Sequence, residues 1–322
     1  MAVLSISSLN SGSNGNCYYI GSGQEAVLVD AGLSCRETEL RMNMVGLSMD
    51  AVKAIVISHE HTDHIKGLPL LSRKYRLPVY ITPRTLANCR FTLEDSLVHS
   101  FTAFEPIIIG PFSILAFPKA HDAADPYSFT ISCEGINIGV FTDIGVPCAN
   151  LVAQFRLCHA AFLEANYDTE MLENGNYPIH LKRRIRGGQG HLSNAQALDV
   201  FLQHCPPFMT HLFLSHLSQD NNNPEMVREL FTRHSSGTDI VIASRREPTA
   251  IYPISRPAGS SAIHPFVQNF AAQAQTVPPI PVPLNMPAPH SSIPGIPFIS
   301  SVARKPTPRV RKTISSYQTS LF

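Results

Sequence analysis

Residues 53–71 read KAIVISHEHTDHIKGLPLL. The apolar run Ala54–Ile57 gives way, after Ser58, to His59, Glu60, His61, Thr62, Asp63 and His64. Consecutive Ile and Val predict a buried strand, and the titratable residues begin where that strand must end. Imidazole and carboxylate are the groups that borderline and hard divalent cations take as ligands. In extended backbone alternate side chains share a face. His59 and His61 therefore point the same way, close enough to share an ion. Asp63 and His64 come from the following turn and can point at a second. The spacing H-x-H-x-D-H is thus a ligand set for two adjacent ions, weighed against a chance cluster on a solvated face.

Two ions need more ligands than these four. His121 follows the apolar SILAFP, Asp143 follows GVFT, and His216 follows LFLS. Each lies just past a predicted strand and faces a polar or Gly-containing loop. Taken singly, each fits a structural residue equally well. Together with residues 59–64 they form one pattern.

The same strand grammar runs through the first 250 residues. VLSISSL, CYYIGSG, EAVLVDAG, AIVISHEH, PVYITP, FSILAFP, SFTISCEG and INIGVFTDIG read as strands bounded by Gly, Asn, Asp or Pro. Helices are predicted at SCRETELRMNMVGL, with Ser34 and Glu37 as a capping box, and at SNAQALDVFLQHC, with Ser193 and Gln196 in the same roles. A third is NPEMVRELFTRHS, with Pro224 in its first turn. Interleaved strands and helices suggest an α/β protein: an αββα sandwich of two mixed sheets flanked by helices.

Composition changes near residue 253. Half of the 26 prolines fall beyond it, in VPPIPVPLNMPAPHSSIPGIPFISSVARKPTPRVRKT and its flanks. No acid follows Glu247, so residues 1–252 are net acidic and the tail basic, within a formal net charge of +1. Proline removes donors and fixes φ, so residues 253–322 are read as a disordered tail of polyproline II character, outside a hydrolase domain at 1–252. The basic end could bind nucleic acid or an anionic membrane surface, and the prolines could engage an SH3-like partner; a merely solubilising tail is the plainer reading. Seven dispersed cysteines without a CxxC pair suit reduced thiols in a cytoplasm. No apolar run is long enough to span a bilayer, and no secretory signal is visible.

The histidine and aspartate segments together resemble the metallo-β-lactamase superfamily. The resemblance implies that His59, His61 and His121 hold one metal and that Asp63, His64 and His216 hold the other, with Asp143 bridging. VLVDAG then places Asp30 behind the metal, orienting the histidine loop by hydrogen bonds. SLNSGSNGNCYYI, FLEANYDTEMLENGNYPIHLKRRIRGGQGHLSN and LSHLSQDNNNPEM look like the bacterial YycJ/WalJ (VicX) branch. That resemblance covers roughly residues 1–250 and implies a metal-dependent nuclease with 5′-exonuclease character on DNA. The implied cofactors are two divalent ions, Zn²⁺ or Mn²⁺, with Fe²⁺ also compatible. The implied nucleophile is a metal-bridging hydroxide, aligned by Asp63 and Asp143.

A phosphodiester substrate gives the remaining motifs work to do. His191, just before the Ser193 helix, is a candidate proton donor to the leaving alkoxide; packing or capping is its plainer role. Lys182, Arg183, Arg184 and Arg186 would clamp phosphates, unless they only solvate a helix face. Ser11, Ser13 and Asn14 offer a small, amide-rich approach to a strand, or simply a hairpin turn. Asn222 and Asn223 are either substrate amides or turn and cap residues. The rival readings are a thioester or small-ester hydrolase of the glyoxalase type and a nucleic-acid-binding scaffold without turnover. The first leaves the basic cluster and His191 unexplained; intact ligands argue against the second.

Overall fold

The computed structural model describes residues 3–256, and the tail expectations fall outside the described residues. Fourteen strands form two seven-stranded sheets. In the first, β1 (Val3–Asn10), β2 (Cys17–Ser22), β3 (Glu25–Val29), β4 (Val52–Val56), β5 (Val79–Tyr80) and β6 (Val98–His99) lie side by side in chain order. The second runs outward from β7 (Pro106–Ile109) through β8 (Phe112–Pro118), β9 (Tyr127–Cys133), β10 (Ile136–Phe141), β11 (Ala160–Glu164) and β12 (His211–Ser215) to β13 (Asp239–Ile242). The last strand, β14 (Tyr252–Ser255), returns to the first sheet and pairs antiparallel with β1. The folded chain therefore runs past the compositional break at 253. Pro253 is tolerated there because β14 is an edge strand, where a missing donor costs no interior ladder bond.

Both sheets are mixed. β1 to β3 are antiparallel and β3 to β6 parallel. β7 to β10 are antiparallel, while β10 to β13 are parallel. Period-2 alternation gives each strand two buried faces. Leu4, Ile6, Tyr18, Ile20, Val27 and Val29 meet Ile114, Phe129, Ile138, Phe162 and Phe213 between the sheets. The outer face of the first sheet is covered by α1 (Cys35–Met44) and α3 (Leu68–Tyr75), through Cys35, Met42, Leu68 and Leu71. The outer face of the second is covered by α5 (Ala149–Phe155), α8 (Asn194–His204) and α9 (Pro224–Thr232), through Leu151, Phe155, Val200, Phe201, Val227 and Phe231. This is the αββα sandwich.

Three predicted helices form, with one cap altered. Ser193 and Gln196 make the reciprocal capping box at α8. At α1, Ser34 accepts from the Glu37 amide, but the Glu37 carboxylate turns to Arg41 at 2.7 Å, because a cation one turn along competes for it. Shorter helices join the strands: α2 (Thr62–Ile65), α4 (Pro83–Ala87), α6 (Thr169–Asn174) and α7 (Ile179–Arg186).

The topology fixes the site. β3 and β4 are parallel, and so are β10, β11 and β12; β8 runs the same way as β10 because two antiparallel pairings separate them. The carboxyl ends of these strands gather at one rim of the sandwich.

Candidate metal centre

Each chemical residue lies at, or a few residues past, the carboxyl end of a strand. Asp30 follows β3, and His59 to His64 follow β4. His121 follows β8, Asp143 follows β10 and His216 follows β12. Asp30, Asp143 and His216 adopt left-handed backbone, with φ of 62°, 56° and 57°. For residues other than glycine this conformation costs on the order of 1–3 kcal/mol, and it concentrates where the fold aims a side chain. Gly32 has a related role. A Cβ there would lie 1.6 Å from the Asp63 carbonyl oxygen, so only glycine lets the histidine loop close against the β3 end.

The seven predicted ligands come together. His59 Nε2 lies 3.1 Å from His61 Nδ1, which lies 3.3 Å from His121 Nε2. Three imidazole nitrogens facing one another make poor hydrogen bonds among themselves. They match a tetrahedral ion, whose nitrogen ligands at ~2.1 Å stand about 3.4 Å apart. Beside them, His64 Nε2 is 3.5 Å from Asp63 Oδ2 and 3.2 Å from Asp143 Oδ2, and His216 Nε2 is 3.6 Å from Asp63 Oδ2. Asp143 Oδ2 and His216 Nε2 are buried without a hydrogen-bond partner. Buried polar atoms are normally satisfied, and a cation supplies what these two lack. The donor set fits divalent metal.

Outer contacts hold the rings. Asp30 accepts from the Ser58 amide and hydroxyl at 2.8 Å each and contacts His64 Nδ1 at 2.7 Å. Ser58 Oγ in turn lies 2.9 Å from His59 Nδ1, and His121 Nδ1 lies 3.1 Å from the Gly190 carbonyl. Each contact fixes which nitrogen faces inward.

Charge separates the two groups. Burial pushes the His59 imidazole well below its usual range, helped by His64 and Lys119, and burial takes His121 to about 4. Both imidazoles are neutral near neutral pH, the form that binds a metal. Burial acts the same way on His216 and His64, but the Asp143, Asp63 and Glu164 carboxylates outweigh it at His216, lifting it to about 10, and Asp143, Asp30 and Asp63 lift His64. Burial raises the Asp63 and Asp143 carboxyls, yet the neighbouring imidazoles more than reverse it and hold both well below the carboxylate range.

Two residues absent from the sequence reading belong here. Glu164, the last residue of β11, is fully buried, in register with Ser215 and so beside His216. Its Oε1 lies 2.8 Å from His191 Nδ1 and 3.0 Å from His216 Nδ1, and its Oε2 accepts from the Ile144 amide at 2.6 Å. An acid closing an apolar strand, AAFLE, is the same signal that marked Asp30 and Asp143. Asn16 reaches Asp63 Oδ2 at 3.1 Å and His64 Nε2 at 3.0 Å. His191, part exposed, stands among His121 and His216 with ring centroids at 5.4 and 5.2 Å.

The proposed substrate residues scatter. Lys182 is buried and donates to the Glu173 carbonyl at 2.6 Å, and Arg186 pairs with the Glu173 carboxylate. Arg184 pairs with Asp122, the neighbour of His121, at 2.5 Å, and Arg183 is exposed. Asn222 is buried, bonding Ala165, Asn166 and Asn194, and Asn223 caps α9. Those amides are used within the fold. Ser11 accepts from the His216 amide at 2.8 Å, supporting a ligand loop; Ser13 and Asn14 contact Arg245.

A family profile described as "Beta-lactamase superfamily domain" matches residues 25–216. The chain belongs to the metallo-β-lactamase superfamily. Among its relatives, "Exodeoxyribonuclease YycJ" of Bacillus anthracis is 35% identical over 228 residues, 70% of this chain and 86% of that one. "Exodeoxyribonuclease WalJ" of Streptococcus pneumoniae is 29% identical over 237 residues, 72% of this chain and 88% of that one. The metallo-β-lactamase-fold protein YhfI of Bacillus subtilis superposes with a TM-score of 0.61 at 16% identity, covering 79% of this chain and all of that one. Human tRNase Z, short form, superposes with a TM-score of 0.54 at 15% identity, covering 79% and 99%. These superpositions establish the superfamily fold.

Proposed function

We propose that the protein is a metal-dependent phosphodiesterase that degrades nucleic acid, a 5′-exonuclease on DNA, working with two divalent ions. The observation that carries this reading is the pair of adjacent ligand groups, His59–His61–His121 and Asp63–His64–His216, with Asp143 between them and two buried ligand atoms otherwise unpartnered. Its relatives named as exodeoxyribonucleases supply the substrate class. Zn²⁺ and Mn²⁺ suit the histidine–carboxylate set, and Fe²⁺ is compatible with it.

When bound, two such ions activate a water and neutralise charge on the phosphate oxygens. This chain's own residues do the rest. Asp30 and Ser58 keep His64 and His59 in fixed tautomers, and Asn16 holds Asp63. Glu164 takes the Nδ1 side of His191, which leaves Nε2 to deliver a proton to the departing alkoxide. Seven free cysteines suit a reducing cytoplasm, which we propose as its location. Among the described residues no helix is long and apolar enough to cross a membrane.

End-labelled single- and double-stranded DNA and RNA, incubated with Mn²⁺ or Zn²⁺, test the proposal. Stepwise loss from the 5′ end of DNA, absent in Asp63→Ala, is the expected result. A metal-loaded wild type that cleaves no nucleic acid but hydrolyses thioesters would move the assignment to the glyoxalase-type reading.

A further inference from the structure

A cavity of about 340 Å³ opens beside the His216 loop, lined among others by Ser11, Leu217, Ser218, Gln219, Arg245 and Arg246. It is at the small end of the range of about 300–1,000 Å³ usual for ligand sites. Two arginines are among its lining residues and no acidic residue is. Its wall is continuous with the metal centre: Leu217 follows His216, and Ser11 accepts from the His216 amide at 2.8 Å.

Arg245 is built into place. Asn14 donates to its carbonyl at 2.8 Å, and its Nη2 lies 3.3 Å from Ser13 Oγ. Its Nη1 is buried with no hydrogen-bond partner. An unmatched charged donor is costly, and an anion accepting from it removes that cost. Ser218 Oγ accepts from the Asn221 amide and hydrogen-bonds the Tyr177 hydroxyl, which leaves Arg245 as the anchor.

We propose that this cavity is a phosphate subsite, in which Arg245 holds a non-scissile phosphate of the nucleic-acid strand while the reacting phosphate lies at the metal centre. The proposal rests on the nuclease reading above. It gives SGSNGN a role: Ser13 and Asn14 hold Arg245 on the cavity wall. The phosphate is either the 5′-terminal group or an internal one, and the two sources are separable.

The test is fluorescence anisotropy with full-length protein in EDTA, so that binding is read without turnover. The probes are 3′-fluorescein single-stranded DNA oligonucleotides carrying a 5′-phosphate or a 5′-hydroxyl. Arg245→Gln is expected to weaken binding about tenfold, the effect of one charge-assisted hydrogen bond. Gln219→Glu places a carboxylate at an exposed position of the same cavity, without disturbing packing, and is expected to weaken binding similarly. Arg228→Gln, on the exposed face of α9, removes the same charge elsewhere and should change affinity less than twofold. Loss confined to the phosphorylated strand assigns the terminal phosphate, and equal loss on both strands assigns an internal one. Affinities for Arg245→Gln and Gln219→Glu no lower than that of Arg228→Gln overturn the subsite, as does a wild type that binds neither strand. Nuclease activity of the metal-loaded wild type is scored separately. Cleavage with an unaffected Arg245→Gln removes only the subsite, whereas no cleavage removes the nuclease reading.

Discussion

The carboxylate of Glu164 lies 2.8 Å from Nδ1 of His191, and the same oxygen lies 3.0 Å from Nδ1 of His216. One buried anion thus steers the proposed proton donor and a proposed metal ligand together. The charge it carries is stable: burial pushes the Glu164 carboxyl up, but His191 and His216 outweigh it and take it to about 2.

Glu164→Gln keeps the shape and loses the charge. Activity is expected to fall about 10–100-fold with weaker metal retention, the usual consequence of removing a ligand's outer partner. His191→Ala should differ, lowering kcat about 10²–10⁴-fold with metal content unchanged, as for a lost general acid. Steady-state rates beside elemental analysis separate the two. Unchanged kcat in a fully metallated His191→Ala protein would remove His191 from the mechanism.

Asp30 serves the opposite side of the centre. It is wholly buried and bonds both the Ser58 hydroxyl and His64. Asp30→Asn is expected to lower metal affinity about 10–100-fold through misorientation of His64. Competition against a chromophoric chelator reads this directly. An unchanged affinity would reduce Asp30 to a turn residue.

The metal-free protein should show a particular pH dependence. His216 is raised to about 10 in the folded chain, against about 6.5 unfolded, so its contribution is full below about pH 6.5 and is lost as pH rises toward 10. Glu164 is lowered to about 2, so its contribution is present above about pH 4.3 and is lost as pH falls toward 2. Stability in EDTA is therefore expected to peak between about pH 4.5 and 6.5. Because His64 is raised along with His216, metal uptake at pH 7 should release protons. Calorimetric titration in two buffers of different protonation enthalpy measures the number. Uptake without proton release would contradict the charged state of these imidazoles.

Gly32→Ala tests the packing beneath the ligands. The added Cβ would meet the Asp63 carbonyl oxygen at 1.6 Å, so the loop must move. A loss of about 3 kcal/mol is expected, at the upper end for overpacking, together with weaker metal binding. Denaturant unfolding of the two proteins measures it.

The clustering of the proposed ligands was legible because those residues sit where apolar strands stop. Isoleucine and valine before His59, and the strands before His121, Asp143 and His216, announce their own ends, and parallel pairing brings those ends to one rim. Glu164 obeys the same rule, but AAFLE lies inside a longer polar motif that masks the strand. Asn16 carries no local signal, since its partner Asp63 is 47 positions away. Surface chemistry reads least well from sequence. The Lys182–Arg186 cluster, apart from Arg183, finds acids and carbonyls within the fold, and Asn222 satisfies backbone rather than substrate. Which polar groups are already partnered is decided by tertiary contacts, and composition does not contain them.

The most direct measurement is DNA hydrolysis by metal-stripped protein as Mn²⁺ is added in known equivalents per chain, with bound metal counted in the same sample. The account predicts no cleavage without metal, release of nucleotides from the 5′ end that reaches its plateau at two equivalents, and no cleavage by Asp63→Ala. Activity that persists in the stripped protein, a plateau at one equivalent, or a fully metallated protein that leaves DNA intact would contradict it.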